Sequence, residues 1–370
     1  MKNALILLLI IFVSCKSPSD KKNENSAIEL EQLRISIDSL FNSHIGENEP
    51  GAAILVAYDG QMMIGKGYGL RDLEGKKPIT KSTNLRMGSV SKQFTALTIL
   101  KLVDEGKISL NDSVYTIFPF ETFKDGTTIE QLINHTSGKA DAEEAFFTEW
   151  DSTKIAENKD VLNWYSSKNR TLINPGEKYQ YNNGIYEFIP SLVEKISGKD
   201  FAEFAKENVF KKAGMEKTNF FNLAKPINIE ERAFCYEKDS LDNWNKVDGH
   251  FLNGLLGAGG VYTSVNDYFE YDLALRNNSI FSKETHEIIF KPSSKINTTQ
   301  SDTRYYAMGW GVTDTAASHT GGWFGTNTWT KRYLNKPLTI AIFMNRNTLF
   351  DNGLIKKTDS LVVKYIDNYR

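Results

Sequence analysis

The sequence predicts an α+β fold, and three observations carry that prediction. Strand-like segments cluster near both ends of the 370-residue chain, and the long middle reads as helical. No fixed-period repeat and no Pro-rich or Gly/Ser-rich linker divides that middle, which argues against tandem domains. The length suffices for one unit of two lobes with a substantial apolar core.

The elements follow in order. Residues 1–15 form a leader, with Lys2 as a short basic start and Ala4 to Val13 as an unbroken apolar run. That run is too short to span a bilayer comfortably. Phe12-Val13-Ser14-Cys15 looks like the site cut by bacterial lipoprotein signal peptidase, with Phe12 where leucine is usual. Cys15 is therefore expected to become the lipidated N-terminus. Residues 16–26 are polar, rich in Ser, Lys, Asn and acids, and are expected to form a flexible tether. The folded domain is expected over 27–370. Across Ala27 to His44, Ile28, Leu33, Ile37, Leu40 and Phe41 recur at helical spacing. Ala52–Tyr58 and Gln61–Gly69 are β-rich around Asp59-Gly60, a hairpin signal. From Ser89 to Ala274 helical patterns alternate with polar loops. Asn327–Tyr333 and Leu338–Asn345 read as two further strands, and Leu354–Ile366 as a closing helix.

Composition excludes several classes of function. Apolar residues at 40% and charged residues at 24% are those of an ordinary globular protein. A formal charge of -2 without a long Lys/Arg run gives no field for nucleic acid, so a small-molecule or peptide substrate is expected. With Cys15 lipidated, only Cys235 remains, and no intramolecular disulfide is possible. The surrounding Ala-Phe-Cys-Tyr offers no base, so Cys235 reads as a small packed hydrophobe. None of His44, His135, His250, His286 and His319 sits in a close-spaced ligand set, and no phosphate-binding or dinucleotide loop is present. No metal or cofactor is expected.

The chemistry gathers at Ser89-Val90-Ser91-Lys92, which opens a helical run ending near Gly106. A spacing of three puts Ser89 and Lys92 on one helix face, where the amine can reach the hydroxyl. Unpaired N–H groups and the dipole at a helix start favour developing negative charge, and the Ser89 N–H is a candidate oxyanion donor. Alone, Ser-x-x-Lys is weak, since a serine before a helix is ordinarily a cap.

Other segments follow it in a telling order. Tyr181-Asn182-Asn183 comes after the Pro175-Gly176 turn, and His319-Thr320-Gly321-Gly322 precedes the last strands. Leu132 to Gly138, Gly257 to Ser264 and Tyr306-Ala307-Met308-Gly309-Trp310 add to the set. With these the chain resembles the serine β-lactamase and penicillin-binding-protein family: class C β-lactamases, DD-peptidases and related esterases and D-aminopeptidases. The likeness runs from about residue 30 to the C-terminus.

That resemblance implies a β-lactamase-like α+β fold. An antiparallel sheet would be flanked by N- and C-terminal helices beside a mostly helical lobe, with the active site between lobes. Ser89 would be the acylated nucleophile, Lys92 and Tyr181 its proton carriers, and the N–H groups of Ser89 and Gly322 the oxyanion hole. Asn183, His319, Thr320 and Gly321 would bind substrate, Tyr306 to Trp310 would form a strand entering the third motif, and His135 would shape a turn. An ammonium near Tyr181 favours its phenolate, and the Asn183 amide offers a donor and an acceptor, suited to holding Lys92 and a substrate amide at once. His319 stands where β-lactamases proper carry lysine, and a mostly neutral imidazole argues against efficient β-lactam hydrolysis. The expected function is an exported serine hydrolase acting through an acyl-enzyme on an amide or ester: a D-amino-acid or cell-wall peptide, an ester or a β-lactam-like substrate. It would be lipid-anchored to a membrane of the bacterial cell envelope and face the periplasm. The alternative is a non-catalytic or slowly acylating lipoprotein that binds wall peptides or β-lactams. The complete set Ser89, Lys92 and Tyr181 argues against that alternative.

Overall fold

Both alternating faces of Ala52–Tyr58 are apolar, a pattern that demands cover on two sides. The computed structural model describes residues 18–298, 302–348, 350 and 353–368. In it an eight-stranded sheet is built from Ala52–Tyr58 (β1), Gln61–Tyr68 (β2), Ser294–Thr298 (β3), Thr303–Ala307 (β4), Trp310–Val312 (β5), Ala316–Trp323 (β6), Thr326–Tyr333 (β7) and Leu338–Met344 (β8). Its spatial order is β3-β4-β5-β6-β7-β8-β1-β2, antiparallel throughout. Around it lie helices α1 (Pro18–Asn42), α2 (Ser91–Asp104), α3 (Ala142–Glu149), α4 (Asn183–Ser197), α5 (Val265–Arg276) and α6 (Leu354–Asn368). Strands from the two ends of the chain thus share one sheet, with a helical lobe inserted between them.

The pleat divides β1 between two cores. Ile54 and Val56 pack with Leu33, Ile37 and Phe41 of α1 and with Leu354, Val362 and Ile366 of α6. Ala53, Leu55 and Ala57 face the larger core, which includes Phe94 of α2 and Tyr268 of α5. The β1–β2 turn has positive φ at both Asp59 (49°) and Gly60 (73°), the backbone a two-residue hairpin requires.

Two expectations need amendment, and one is out of reach. The expected signal peptide and Cys15 lie outside the described residues. Helix α1 begins at Pro18 instead of Ala27, so 18–26 are helical where a flexible tether was expected. Once the packed part of a helix has nucleated, each added residue costs little, even in a polar stretch. The segment Tyr306 to Trp310 is not one strand: it turns at Met308 (φ 47°) and Gly309 (φ 84°) between β4 and β5. A side chain at Gly309 would begin 2.6 Å from the backbone of Gln93, so this turn is pressed onto α2.

Helix α2 is buried on every side through its first turns, from Ser91 to Leu100, as expected of a helix at the centre of a domain. The sheet and the lobe are locked together elsewhere by Asp272 of α5. Its carboxylate accepts from Arg332 of β7, from Thr339 Oγ1 of β8 at 2.6 Å and from Arg276 Nε at 2.9 Å. Arg332 and Asp272 are both buried, and removing one member of such a pair strands the other's charge. Asp272→Ala is expected to lower unfolding free energy by about 3–5 kcal/mol, read as a fall in the urea midpoint at unchanged slope.

Candidate active site

Ser89 sits in a one-turn 3-10 segment, Gly88–Val90, that runs directly into α2. This turn meets strand β6 so closely that side chains are excluded on both sides. A Cβ at Gly88, whose φ is 50°, would lie 3.1 Å from the Gly322 nitrogen. One at Gly321 would lie 2.2 Å from Met87 O and 3.2 Å from the Ser89 nitrogen. The backbone nitrogens of Ser89 and Gly322 are therefore neighbours, as a two-donor oxyanion site requires. Thr328 Oγ1 fixes the turn from the next strand by donating to Met87 O at 2.7 Å.

Lys92 is fully buried, yet its ammonium has three acceptors: Ser89 Oγ at 3.3 Å, Asn183 Oδ1 at 2.7 Å and Ala258 O at 3.0 Å. All three of its protons are thereby matched, which makes burial of the charge tolerable. The rings of Tyr181 and Tyr186 flank it, with centroids 4.8 and 5.4 Å from Nζ. Tyr181 shares a cavity with Ser89 but meets the pair through its ring face, and no hydrogen bond joins it to Ser89 among the described residues.

The two asparagines of the second motif divide their work. Asn182 caps α4, accepting from Ile185 N at 2.8 Å, and donates to Lys139 O at 2.8 Å. Asn183, the first residue of α4, accepts from Lys92 and donates from Nδ2 to Glu143 Oε1 at 2.7 Å. One of the two Nδ2 protons thus has a protein partner and Oδ1 positions Lys92, while Asn183 also lines a cavity with Ser89.

His319 departs from its expected role. Its Nδ1 lies 2.6 Å from Thr320 O, which only accepts, so Nδ1 carries the proton and Nε2 accepts from the Tyr306 hydroxyl at 3.1 Å. With both nitrogens engaged, the ring is a wall of the cleft and offers substrate no free hydrogen bond. Burial, reinforced by the charge of Lys92, holds its pKa down to about 3. Gly321 is buried against Met87 and serves close packing rather than substrate contact, whereas Thr320 and Gly322 are exposed to the cleft. His135, at φ 58°, shapes its turn as expected: Nδ1 accepts from Asn182 N at 3.1 Å, and the ring packs at a tilt against that of Tyr181, centroids 4.4 Å apart. Cys235 is buried, and burial raises its thiol to about 12, which leaves no reactive thiolate.

Three residues near the site escaped the sequence reading. Glu143 of α3 and Glu187 of α4 are buried together and line a small cavity with Ser89, Asn183 and Trp323. Burial raises both carboxyls, which also hydrogen-bond to each other. Arg304 of β4 lines a second cavity with Ser89, Tyr181, His319 and Thr320. Glu187 did leave a signal: it lies four residues after Asn183, on the same helix face, inside an apolar run.

Comparison with known proteins finds relatives over most of the chain. The family model described as Beta-lactamase matches residues 37–362. The chain is 29% identical over 351 residues to penicillin-binding protein 4* of Bacillus subtilis (strain 168), covering 90% of this chain and 76% of that protein. A penicillin-binding protein from Bacillus halodurans has a similar structure, with a TM-score of 0.75 at 21% identity, over 88% of this chain and 98% of the other. The D-amino acid amidase from Ochrobactrum anthropi SV3, complexed with L-phenylalanine amide, has a TM-score of 0.73 at 19% identity, over 91% and 99% of the respective chains.

The state of His319 has a measurable consequence. An imidazole kept neutral in the fold but titrating near 6.5 when unfolded contributes stability that is whole above about pH 6.5. That contribution is lost as pH falls toward the folded value of about 3. His319→Gln is expected to remove about 2 kcal/mol of acid-side destabilisation between pH 7 and 5. Urea titrations of both proteins at the two pH values test this, and the ring nitrogens of native His319 should report neutral imidazole by NMR at pH 5.

Proposed function

The chain belongs to the β-lactamase family of serine hydrolases and penicillin-binding-protein-like proteins, and from that premise we propose that it hydrolyses an amide or ester through an acyl-enzyme on Ser89. The observation that carries this reading is the buried Lys92 ammonium held at 3.3 Å from Ser89 Oγ by Asn183 and the Ala258 carbonyl. A lysine serving only structure gains nothing from a serine placed at the mouth of two cavities.

In the proposed cycle Ser89 Oγ attacks the scissile carbonyl as its proton passes to the Tyr181 oxygen, since the Lys92 ammonium can only donate. The oxyanion forms between the N–H groups of Ser89 and Gly322, where the glycine-lined contact of the 3-10 turn and β6 brings the two nitrogens together. Tyr181, over the Lys92 ammonium and open to the cleft, returns the proton to the leaving amine or alcohol. Water then attacks the ester on Ser89 and releases the acid. D-amino-acid amides and peptides are favoured over β-lactams, because His319 is a neutral wall in place of a cation. The likeness to a D-amino acid amidase supports that preference. The leader ending at Cys15 supports a lipid-anchored protein of the bacterial envelope.

Intact-mass and peptide analysis after treatment with a fluorophosphonate should place one adduct on Ser89. Lys92→Ala should slow its formation by about 10³-fold, within the usual range for loss of a proton-transfer group. Complete resistance of the native chain to acylation would instead favour a binding protein without turnover.

A further inference from the structure

The sheet presents its two faces to different surroundings. One packs against α2 and the cleft at its start; the other is covered by α1 and α6, lying side by side. On α1, Leu33, Ile37 and Phe41 face the core at intervals of four. Ile28 and Ile35 fall on the opposite side of the helix, seven residues apart, and are 57% and 51% exposed. The exposed Gln32 and Ser39 share that stripe. Beside it, α6 turns Lys356, Lys357, Ser360 and Lys364 to solvent, and with Leu40 and Leu361 these line a shallow groove between the two helices.

Among the described residues no carboxylate pairs with Lys356, Lys357 or Lys364. From Ile28 onward the acids of the same helices are engaged elsewhere, Glu31 with Arg34, Asp38 with Lys66, Asp359 with Lys331 and Asp367 with Lys336, which leaves the exposed Glu29 to oppose three lysines. In a chain of formal charge -2 this is a local positive field with aliphatic side chains at its edge. An acidic partner would not call for exposed isoleucines, and an apolar one would not call for unpaired ammoniums. An anionic bilayer answers both, taking lysines at its phosphates and aliphatic groups at the acyl boundary.

We propose that the outer face of α1 and α6 lies on an anionic phospholipid bilayer, with Lys356, Lys357 and Lys364 at the headgroups and Ile28 and Ile35 at the acyl boundary. The inference extends the lipid-anchored reading, which tethers the chain but does not orient it. The apolar run of the leader and Cys15 directly precede α1 in sequence, so the helix nearest the tether is one that carries this face. The cleft, on the other side of the sheet, then opens away from the membrane, and substrate reaches Ser89 from the aqueous side.

The test uses the full chain with Cys15→Ser and Ser360→Cys, labelled at position 360 with a fluorophore, and vesicles whose brominated acyl chains quench it. Cys235 is buried and stays unlabelled. Vesicles of phosphatidylcholine and phosphatidylglycerol in equal parts should quench the label, whereas phosphatidylcholine alone should not. A label at Lys178→Cys, exposed next to Tyr179 of the cleft, should stay bright with both. Lys356→Gln, Lys357→Gln and Lys364→Gln together leave the core untouched and should cut the docked-to-undocked ratio, read from the fraction quenched, about 100-fold. Absence of quenching at 360, quenching at 178 instead, indifference to phosphatidylglycerol, or quenching that survives the glutamine variant overturns the proposal. So does a label already shielded without vesicles, which would mean that the leader or a second copy covers the groove. The tether is read separately, from the mass of Cys15 in the native chain recovered from bacterial membranes. A lipid there without quenching at 360 defeats the docking face alone, and quenching at 360 without that lipid defeats the anchor alone.

Discussion

The whole arrangement depends on keeping one ammonium charged inside the domain. Lys92 lies on a helix buried through its first turns, and an unpaired charge there would cost several kcal/mol. Its three acceptors come from parts of the chain far apart in sequence: the serine turn, the first residue of α4 and the carbonyl of Ala258. Satisfying one side chain therefore fixes the relative positions of the sheet's neighbour helix, the helical lobe and the glycine-rich segment that follows it. The site lies between the lobes because that is where the acceptors must converge.

Close backbone contact is the second requirement, and it explains where the sequence is intolerant. The serine turn and β6 approach to a distance at which even a methyl group at Gly321 would overlap Met87 O and Thr328 Oγ1. The turn at Gly309 presses equally hard on Gln93, next to Lys92. A helix held at both places cannot slide along the sheet, so the distance between Ser89 and the Gly322 nitrogen is set by packing and not by the side chains of the site.

Much of this was legible in the sequence because it is local. Ser89 and Lys92 share a helix face by spacing alone, and the hairpin around Asp59-Gly60 announces its own turn. The antiparallel sheet and its flanking helices came from the resemblance, and the structure has that architecture. Tertiary facts were not legible. Nothing in Asp141-Ala142-Glu143-Glu144 says that Glu143 turns inward to meet Glu187, because the encounter depends on how α3 packs against α4. The role of His319 was misjudged for a related reason: its motif fixes where it stands, but its hydrogen-bond partner Tyr306 comes from another element.

His319 then becomes intelligible as a consequence of Lys92. A second cation beside a buried ammonium would be repelled, and the Lys92 charge does push the His319 and His135 imidazoles toward neutrality. Each ring is held by a hydrogen bond that the neutral form can make, His319 with Thr320 O and His135 with Asn182 N. Together with Tyr179, Tyr181, Tyr186 and Tyr306 they build an aromatic wall whose ring faces suit the ammonium without competing for its acceptors. A lysine at 319 would place positive charge against this wall and against Lys92. The cation in the leaving-group cavity, the one holding Tyr181, is instead Arg304, carried on β4, where its exposed side chain keeps its charge in water. The site thus separates a buried cation that works on Ser89 from an exposed one in the leaving-group cavity, and the charges of both help keep His319 neutral.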